Sequence, residues 1–437
     1  MEVTAVTSEL FTSNYIDQPF WWDRTPRPES NHQALPGEAD VAIIGSGYTG
    51  LCAAIQTARG GRQTVVLDAE AAGWGCSSRN GGQVSTSLKP SYEGLKKKYG
   101  GELAFNILKE GHNALQWIGE FIKDEEIDCD FKRCGRFHAA HTPKHYTLLE
   151  ETFASPVKGL ETDSYMVSRQ DQHKELSSDL YHGGIVHPRH ASLDPARYHQ
   201  GLLGRAVQAG ADIQPHCKVN AISHTQSGFQ LDTQKGTLVA RDVVIATSGY
   251  TKTLSRWHQR RIIPIGSYMI ATEPVPDDLI RSLIPNDRVI SDTRKLVVYY
   301  RTCPERRRIL FGARTSIKET DARVNAPAIH KELVKRFPEL DEFCVSHSWM
   351  GFVGYTFDTM PHLGKRDGIY YSMGYCGSGI SLASYFGTRI GQQVLGLAEG
   401  RSPLDLTTFQ SRPYYTGNPW FLAPAIRYYS WLDNRPA

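Results

Sequence analysis

No uninterrupted apolar run in the 437-residue chain approaches the roughly 20 residues needed to cross a bilayer, so no integral membrane segment is expected. No fixed-period repeat or low-complexity stretch is present, which excludes a solenoid or a long disordered arm. Charge of one sign is scarce. The net charge is +3, and dense basic runs are confined to Lys96, Lys97 and Lys98 and to Arg306, Arg307 and Arg308, so no nucleic-acid partner is expected. None of the 8 cysteines, at positions 52, 76, 129, 134, 217, 303, 344 and 376, has a C-x-x-C partner, which argues against a metal or redox pair. Cys129 and Cys134 lie near each other in sequence, and reduced thiols are the expectation. The opening MEVTAVTSEL carries acids where a secretory signal needs positive charge followed by an apolar stretch, so a cytoplasmic protein is expected. What is there is ordinary globular usage, 40% hydrophobic and 22% charged, in a chain long enough for one large unit or two interleaved domains.

The first informative segment is EADVAIIGSGYTG, residues 38–50: a run of buried-type aliphatic residues followed at once by Gly45, Gly47 and Gly50. The continuation LCAAIQTARGG has apolar residues at helical spacing and stops on Gly60 and Gly61, and QTVVLD reads as a second buried strand ending in Asp68. Strand, glycine turn, helix, strand and acid in this order make a dinucleotide site. One glycine allows the tight turn, one lets the backbone approach a pyrophosphate, and one lets the helix pack on the strand. The helix amides receive the phosphates, and an acid about 20 residues on receives a ribose diol. NAD, NADP and FAD all satisfy this unit. The contacts expected of it come from Gly45, Ser46, Gly47, Tyr48, Thr49, Gly50, Asp68 and Ala69.

Later segments favour FAD. The stretch AAGWGCSSRNGGQV is rich in glycine and small polar residues, a composition suited to backbone pressed against a flat ligand. Its expected contacts are Gly75, Cys76, Ser77, Ser78, Arg79, Asn80, Gly81, Gly82 and Gln83, with Arg79 near the isoalloxazine or the phosphates. Residues 92–131 then read as helical instead of continuing a nucleotide fold. A helix opening on Asp194 and Pro195 leads to ADIQPHCKVNAI, with Val219, and to RDVVIATSGY, whose strand tip offers Thr247, Ser248 and Gly249. Near the end, GIYYSMGYCGSGISLASYFGTRIGQQVLG sets Gly374, Gly377, Ser378, Gly379 and Ile380 between a strand and an apolar helix. That second helix amino terminus suits an anionic reduced flavin.

These segments, in this order, resemble the D-amino-acid oxidase-like (DAO) superfamily of FAD enzymes over nearly the whole chain. FWWDRTPRP, GWGCSSRNGGQ, VVIATSGYT, RIIPIGSYMIATEP, KLVVYYRT, ILFGAR and WMGFVGYTFDTMPHLG are similar to the γ-glutamylputrescine oxidoreductase branch. The resemblance implies an α/β fold: a Rossmann-like FAD-binding domain on a parallel sheet, with a second α+β substrate domain on a mixed antiparallel sheet. It divides the chain into an amino-terminal arm (1–37), a discontinuous FAD domain (38–90, 150–255 and 346–402), a helical insertion (91–149), a substrate domain (256–345) and a tail (403–437). The sequence departs from the family pattern at Ser78 and Ser378, where the branch has glycine and histidine. The position of a flavin-linking cysteine in some relatives matches Gly351, and the Arg-Asn-Gly-Gly loop holds no histidine, so non-covalent FAD is implied. Leu310 stands where some relatives place a dioxygen-activating lysine.

The implied chemistry is hydride transfer from the carbon bearing a neutral amine to the flavin, then hydrolysis of the imine, with dioxygen or another electron acceptor closing the cycle. The protein's task is to hold the donor carbon at about 3 to 3.5 Å and keep the amine unprotonated. Candidates for that task are Tyr268, Tyr299, Arg301, Arg314, Trp349 and Tyr375, with Arg301 or Arg314 as a bidentate carboxylate anchor. The leading expectation is a polyamine-catabolic amine oxidoreductase. A D-amino-acid or N-methyl amino-acid enzyme competes within the class. An NAD(P) dehydrogenase and a non-catalytic flavin-binding subunit compete from outside it. The aromatic tail around Trp420 and Trp431 is expected to pack back onto the chain, and the oligomeric state is open.

Overall fold

The strand Glu38–Ile44 runs parallel to Thr64–Leu67 on one side, with Ile44 opposite Leu67, and to Gly236–Ile245 on the other, with Ile44 opposite Ile245. These strands are apolar and buried in their last turns because helices cover the sheet, as parallel sheets require. The helix Tyr48–Arg59 makes the crossover and ends at Gly60, as its sequence predicts. Asp212–Gln214 extends this sheet beyond Thr64–Leu67, and Ile369–Met373 joins it beside Val244 and Ile245. The carboxyl ends of strands remote in sequence therefore gather at one edge, where open α/β sheets bind ligands. The helix Gly379–Val394 packs against Tyr48–Arg59, bringing the two glycine-rich turns together. This computed structural model describes residues 10–27, 34–86, 88–316 and 319–435, so most of MEVTAVTSEL and the Pro28 of FWWDRTPRP lie outside the described residues.

Among the described residues, a second sheet of nine strands stands across that edge. Its centre is the antiparallel set Ile263–Thr272, Val345–Tyr355 and Ile309–Ala313, with Tyr299–Thr302 next, and CPERRR forms the connection between the last two, as expected. One face packs on a core containing Phe137, Tyr300, Phe311 and Phe337 and backed by the helix Ala322–Val334. The other face looks toward the nucleotide half.

Two expectations are corrected here. Residues 92–131 are helical only as far as Asp124. Gly100, at φ 84, separates Tyr92–Tyr99 from Gly101–Asp124, and the helix stops there. The second sheet also recruits more chain than the 256–345 boundary allows. Arg136–Ala139 from the insertion, Tyr165–Val167 and Gly184–His187 from the stretch given to the FAD domain, and Phe11–Ile16 from the arm all pair within it. Strand pairing between remote segments leaves no local mark, whereas the long helix, placed with the insertion, packs on Gly379–Val394 through Trp117 and Tyr385. The free thiols of Cys129 and Cys134 are buried. Among the described residues, no helix is long and apolar enough to cross a membrane.

Candidate active site

Between the two sheets lies a cavity of about 1480 Å³, larger than the roughly 300–1,000 Å³ of an ordinary small-ligand site. At its nucleotide end the turn after Ile44 shows why glycine is needed. Gly45 sits at φ +103, and a Cβ on Gly50 would lie 1.9 Å from the Gly45 carbonyl oxygen. The helix that follows has no side-chain cap on Gly47 and no acid in its first turn, so its amino terminus faces the cavity without a competing negative charge. Asp68 is aimed by the amide (2.9 Å) and hydroxyl (2.5 Å) of Ser46, which both donate to it. Val219, Thr247 and Ser248 complete this end. An adenine dinucleotide fits such a cradle: room for a pyrophosphate at a helix amino terminus whose Tyr48 amide donates to the Ser77 hydroxyl (3.1 Å), and a carboxylate held for a ribose.

Further along, the segment Gly75–Gln83 forms one wall. Asn80 organises it: its amide nitrogen donates to the carbonyls of Cys76 (3.1 Å) and Ser77 (2.9 Å) while its oxygen accepts from the Gly82 amide (2.9 Å). Ser78, the departure from the family pattern, serves the same loop, donating to the Gly73 carbonyl (2.6 Å) and accepting from the Trp22 indole (2.8 Å). Arg79 donates to the carbonyls of Met350 (2.8 Å) and Trp74 (2.6 Å) and lies over the Trp22 and Trp74 rings; burial holds its pKa below the usual guanidinium value. Facing it, Gly377, Ser378, Gly379 and Ile380 present a second helix end without a side-chain cap or an acid in the first turn. Cys76 and Cys376 both line the cavity. Burial pushes both thiols up, Cys376 to about 11, so neither offers a thiolate to a flavin.

Of the residues expected to touch cofactor, Gly45, Gly47, Tyr48, Thr49, Asp68, Ala69, Gly75, Cys76, Ser77, Arg79, Asn80, Gly81 and Gln83 line the cavity with those just named. Ser46, Gly50, Ser78, Gly82, Gly249 and Gly374 stand behind the wall and shape it. The substrate candidates divide more sharply. Tyr299 lines the cavity and exchanges a hydrogen bond with Ser267 (2.9 Å), and burial pushes its pKa up to about 12. Arg314 also lines it, but its guanidinium is engaged by Glu319 (2.9 Å) and by the Gly266 carbonyl.

Tyr268, Arg301 and Trp349, expected over the ring, do not line the cavity. Side chains alternate across a strand, so Ser267 and Met269 face the cavity while Tyr268 turns into the opposite core, its hydroxyl donating to Glu319 (3.0 Å). Arg301 is buried and donates to the carbonyls of Gly82 (3.1 Å), Leu193 (2.8 Å) and Thr302 (2.9 Å), so it pins the Asn80–Gly82 loop to the second sheet. Trp349 likewise donates to the Arg79 carbonyl (2.7 Å). Tyr375 borders the cavity, but its hydroxyl is shared with Thr49 (2.6 Å) and Ser372 (2.9 Å) and ties the two glycine turns together.

Sequence reasoning missed a polar group on the second sheet. Arg136 and His138 line the cavity from Arg136–Ala139, where Phe137 and Ala139 point into the core. Burial lowers Arg136 to about 10, still cationic at neutral pH, and burial, then the Arg136 and His187 charges, hold His138 well below the ordinary histidine range. The alternation in RFHA is the signal that could have found them. Lys89, whose Nζ lies 3.4 Å from the Tyr355 hydroxyl, and the connection Thr293–Val297 also line the cavity, as do Phe421, Leu422, Ala425, Ile426 and Tyr429. No local pattern marks these.

A parallel nucleotide sheet with two glycine-rich helix ends at one edge, roofed by a mixed antiparallel sheet across a dinucleotide-sized cavity, defines a flavin-dependent oxidoreductase. The chain belongs to the DAO family of FAD dependent oxidoreductases, whose model matches residues 40–393. It is 29% identical over 402 residues to γ-glutamylputrescine oxidoreductase of Escherichia coli strain K12, covering 90% of this chain and 92% of that one. It is 28% identical over 363 residues to the probable oxidoreductase OrdL of Haemophilus influenzae, covering 82% and 83%. The crystal structure of glycine oxidase from Geobacillus kaustophilus shares the fold, with a TM-score of 0.70 at 18% identity over 87% of this chain and 100% of that one. The two-domain flavoprotein architecture and the FAD requirement are thereby established. An NAD(P) dehydrogenase is set aside.

Proposed function

We propose that the chain oxidises the carbon-nitrogen bond of an amine that also carries a carboxylate, of the γ-glutamylated-amine kind, with non-covalent FAD as hydride acceptor. The observation that carries this reading is the charge of the cavity wall. On the second sheet and its connections the wall presents Arg136 and Lys295, with Lys89 opposite, beside Arg294 and Arg314, which are already engaged by Asp292 (2.7 Å) and Glu319 (2.9 Å). Among the described residues, the acids that line the cavity are Asp68 and Glu70 at the nucleotide end and Asp292, which is engaged by Arg294 (2.7 Å) and Arg336 (3.5 Å). A free polyamine brings several ammonium groups to a wall that has no acid for them. A carboxylate meets Arg136, half-buried on the cavity wall, where a cation attracts it more strongly than in open water.

Tyr299 and Met269, over the Gly81 turn, and Val353, elsewhere on the cavity wall, present ring and alkyl surface against which the reacting carbon would sit. Neighbouring cations favour loss of the ammonium proton, which keeps the amine in its reactive form. FAD, held between the turns at Gly45 and Gly379, would supply the hydride acceptor for the carbon that carries the nitrogen. Hydrolysis of the resulting imine would give a carbonyl compound and an amine or ammonia, with dioxygen or another acceptor closing the cycle. The relative acting on γ-glutamylputrescine supports this reading.

The test is anaerobic bleaching of the FAD-loaded chain with γ-glutamylated amines, free polyamines, D-amino acids and N-methyl amino acids. γ-Glutamylated amines should bleach it and free polyamines should not. Equal rates with putrescine and its γ-glutamyl form would overturn the assignment.

A further inference from the structure

The carboxy-terminal helix Leu422–Asp433 lies beyond residues 40–393, the span shared with the family, yet its inner face lines the same cavity. Leu422, Ala425, Ile426 and Tyr429 recur at helical spacing and form that face. Ile426 alone in this helix is buried, Tyr429 lies at the rim of the inner face and is 40% exposed, and Trp420, Tyr428 and Trp431 are 61%, 55% and 50% exposed. A helix that faces a cavity on one side and solvent on the other gains little from packing, so few contacts decide whether it stays down.

Those contacts sit at its two ends. At the amino-terminal end, Phe421 packs on Phe357 and Tyr415, and the Tyr415 hydroxyl donates to the Ile262 carbonyl (2.6 Å). At the other end, the Asp433 carboxylate accepts from the backbone amides of Lys295 (2.8 Å) and Leu296 (2.9 Å). An acid in a helix's last turn meets the negative end of the macrodipole and disfavours the helix. The two amide donors offset that cost. Lys295 and Leu296 belong to the connection between Val289–Asp292 and Tyr299–Thr302 of the second sheet and themselves line the cavity. Asp433 therefore fastens the tail to the rim of the substrate half.

We infer that Leu422–Asp433 is a latched lid over the substrate end of the cavity, and that Ile426 and Tyr429 on its inner face select the alkyl portion of the amine. The selection rests on the reading of this cavity as the amine site; the gating does not. Asp433 is a positioning residue, acting through the helix it fastens.

The test uses the full, FAD-loaded chain as wild type and as Asp433→Ala, Asp433→Asn and Ile426→Ala. Sulfite, a small anion that bleaches oxidised flavin without amine chemistry, reports access: Asp433→Ala should bleach at least about fivefold faster than wild type and Asp433→Asn less, since its amide oxygen keeps an acceptor. Tryptic cleavage at Arg427 should rise in the same order. With a series of γ-glutamylated diamines of increasing length, Asp433→Ala should raise KM about tenfold with little change in kcat, and Ile426→Ala should shift preference toward the longer members. Unchanged sulfite and trypsin rates in Asp433→Ala would overturn the lid. Faster sulfite bleaching with every KM and the length preference unaltered would overturn the selective role. A wild type that no amine bleaches, but whose sulfite rate responds to Asp433, would sink the proposed function and leave the lid standing.

Discussion

The two walls of the cavity are made in different ways. On the nucleotide side, backbone does the work: a glycine turn, a helix amino terminus and one aimed carboxylate, all within residues 44–68. On the substrate side, side chains do it, and Lys89, Arg136, Tyr299, Arg314 and Tyr429 come from segments far apart in the chain. A backbone site has to be written in contiguous sequence, because the turn and the helix that form it are contiguous. A side-chain site can be assembled from any strand whose register points inward. The first wall should therefore be intolerant and unspecific, and the second tolerant and selective.

The largest effect expected of that contrast is at Gly50. Gly50→Ala places a methyl inside contact distance of the Gly45 carbonyl, a strain of roughly 1–3 kcal/mol that the turn has no flexible side chain to absorb. Flavin content of the purified variant should fall by about tenfold or more; full occupancy would show that the turn is less critical than its geometry implies. Next is Arg136→Met. FAD should bind as in wild type, while kcat/KM for a carboxylate-bearing amine falls by about 30-fold, roughly 2 kcal/mol. Equal loss of flavin and activity would erase the division of labour between the walls.

Acid should act on the substrate side more than on the nucleotide side. Burial, the largest cause in each case, keeps His187 near 3 and His141 and His347 near 4, and these belong to the second sheet or its edge. The nucleotide half holds His199, near 4, and His258, near 3. A histidine neutral in the fold takes no proton there, whereas the unfolded chain takes one near pH 6.5. Stability is therefore complete above about 6.5 and falls as pH drops below it, by up to about 1.4 kcal/mol per pH unit for each such group. Melting of the FAD-loaded chain at pH 5 and pH 7.5, followed by hydrogen exchange, should show a lower transition at pH 5 with strand Gly184–His187 exposed before strand Glu38–Ile44. The smallest effect is at Tyr268, which faces away from the cavity. Tyr268→Phe should cost about 1 kcal/mol of stability by chemical unfolding and leave KM unchanged; a raised KM would return it to the substrate wall.

The same contrast explains what was legible. Gly45, Gly47, Gly50 and Asp68 announce themselves because spacing along the chain is their function. The Arg-Asn-Gly-Gly loop is nearly as plain, although the internal duties of Ser78 and Asn80 emerge only with their partners. On the roof, the strands were readable by alternation but the facing was not. Choosing Tyr268 over Met269 turns on the register, because a one-residue difference reverses the face, whereas Arg301 shares a face with Tyr299 and is taken up by the carbonyls of Gly82 and Leu193, partners that only the tertiary structure supplies. Tyr165–Val167 and Gly184–His187 joined the second sheet for a reason equally invisible locally: their hydrogen-bonding partners are remote.

By itself, then, the sequence determined the class of cofactor, the order of strands and helices that cradles it, and the existence of a separate antiparallel roof, because each of these rests on short-range geometry and periodicity. Only the tertiary structure decided which cations reach the cavity, which arginines serve as internal staples, and that the helix Leu422–Asp433 lines the same cavity. Those outcomes depend on which remote segments meet, and long-range packing and pairing energies settle that after local preferences have had their say.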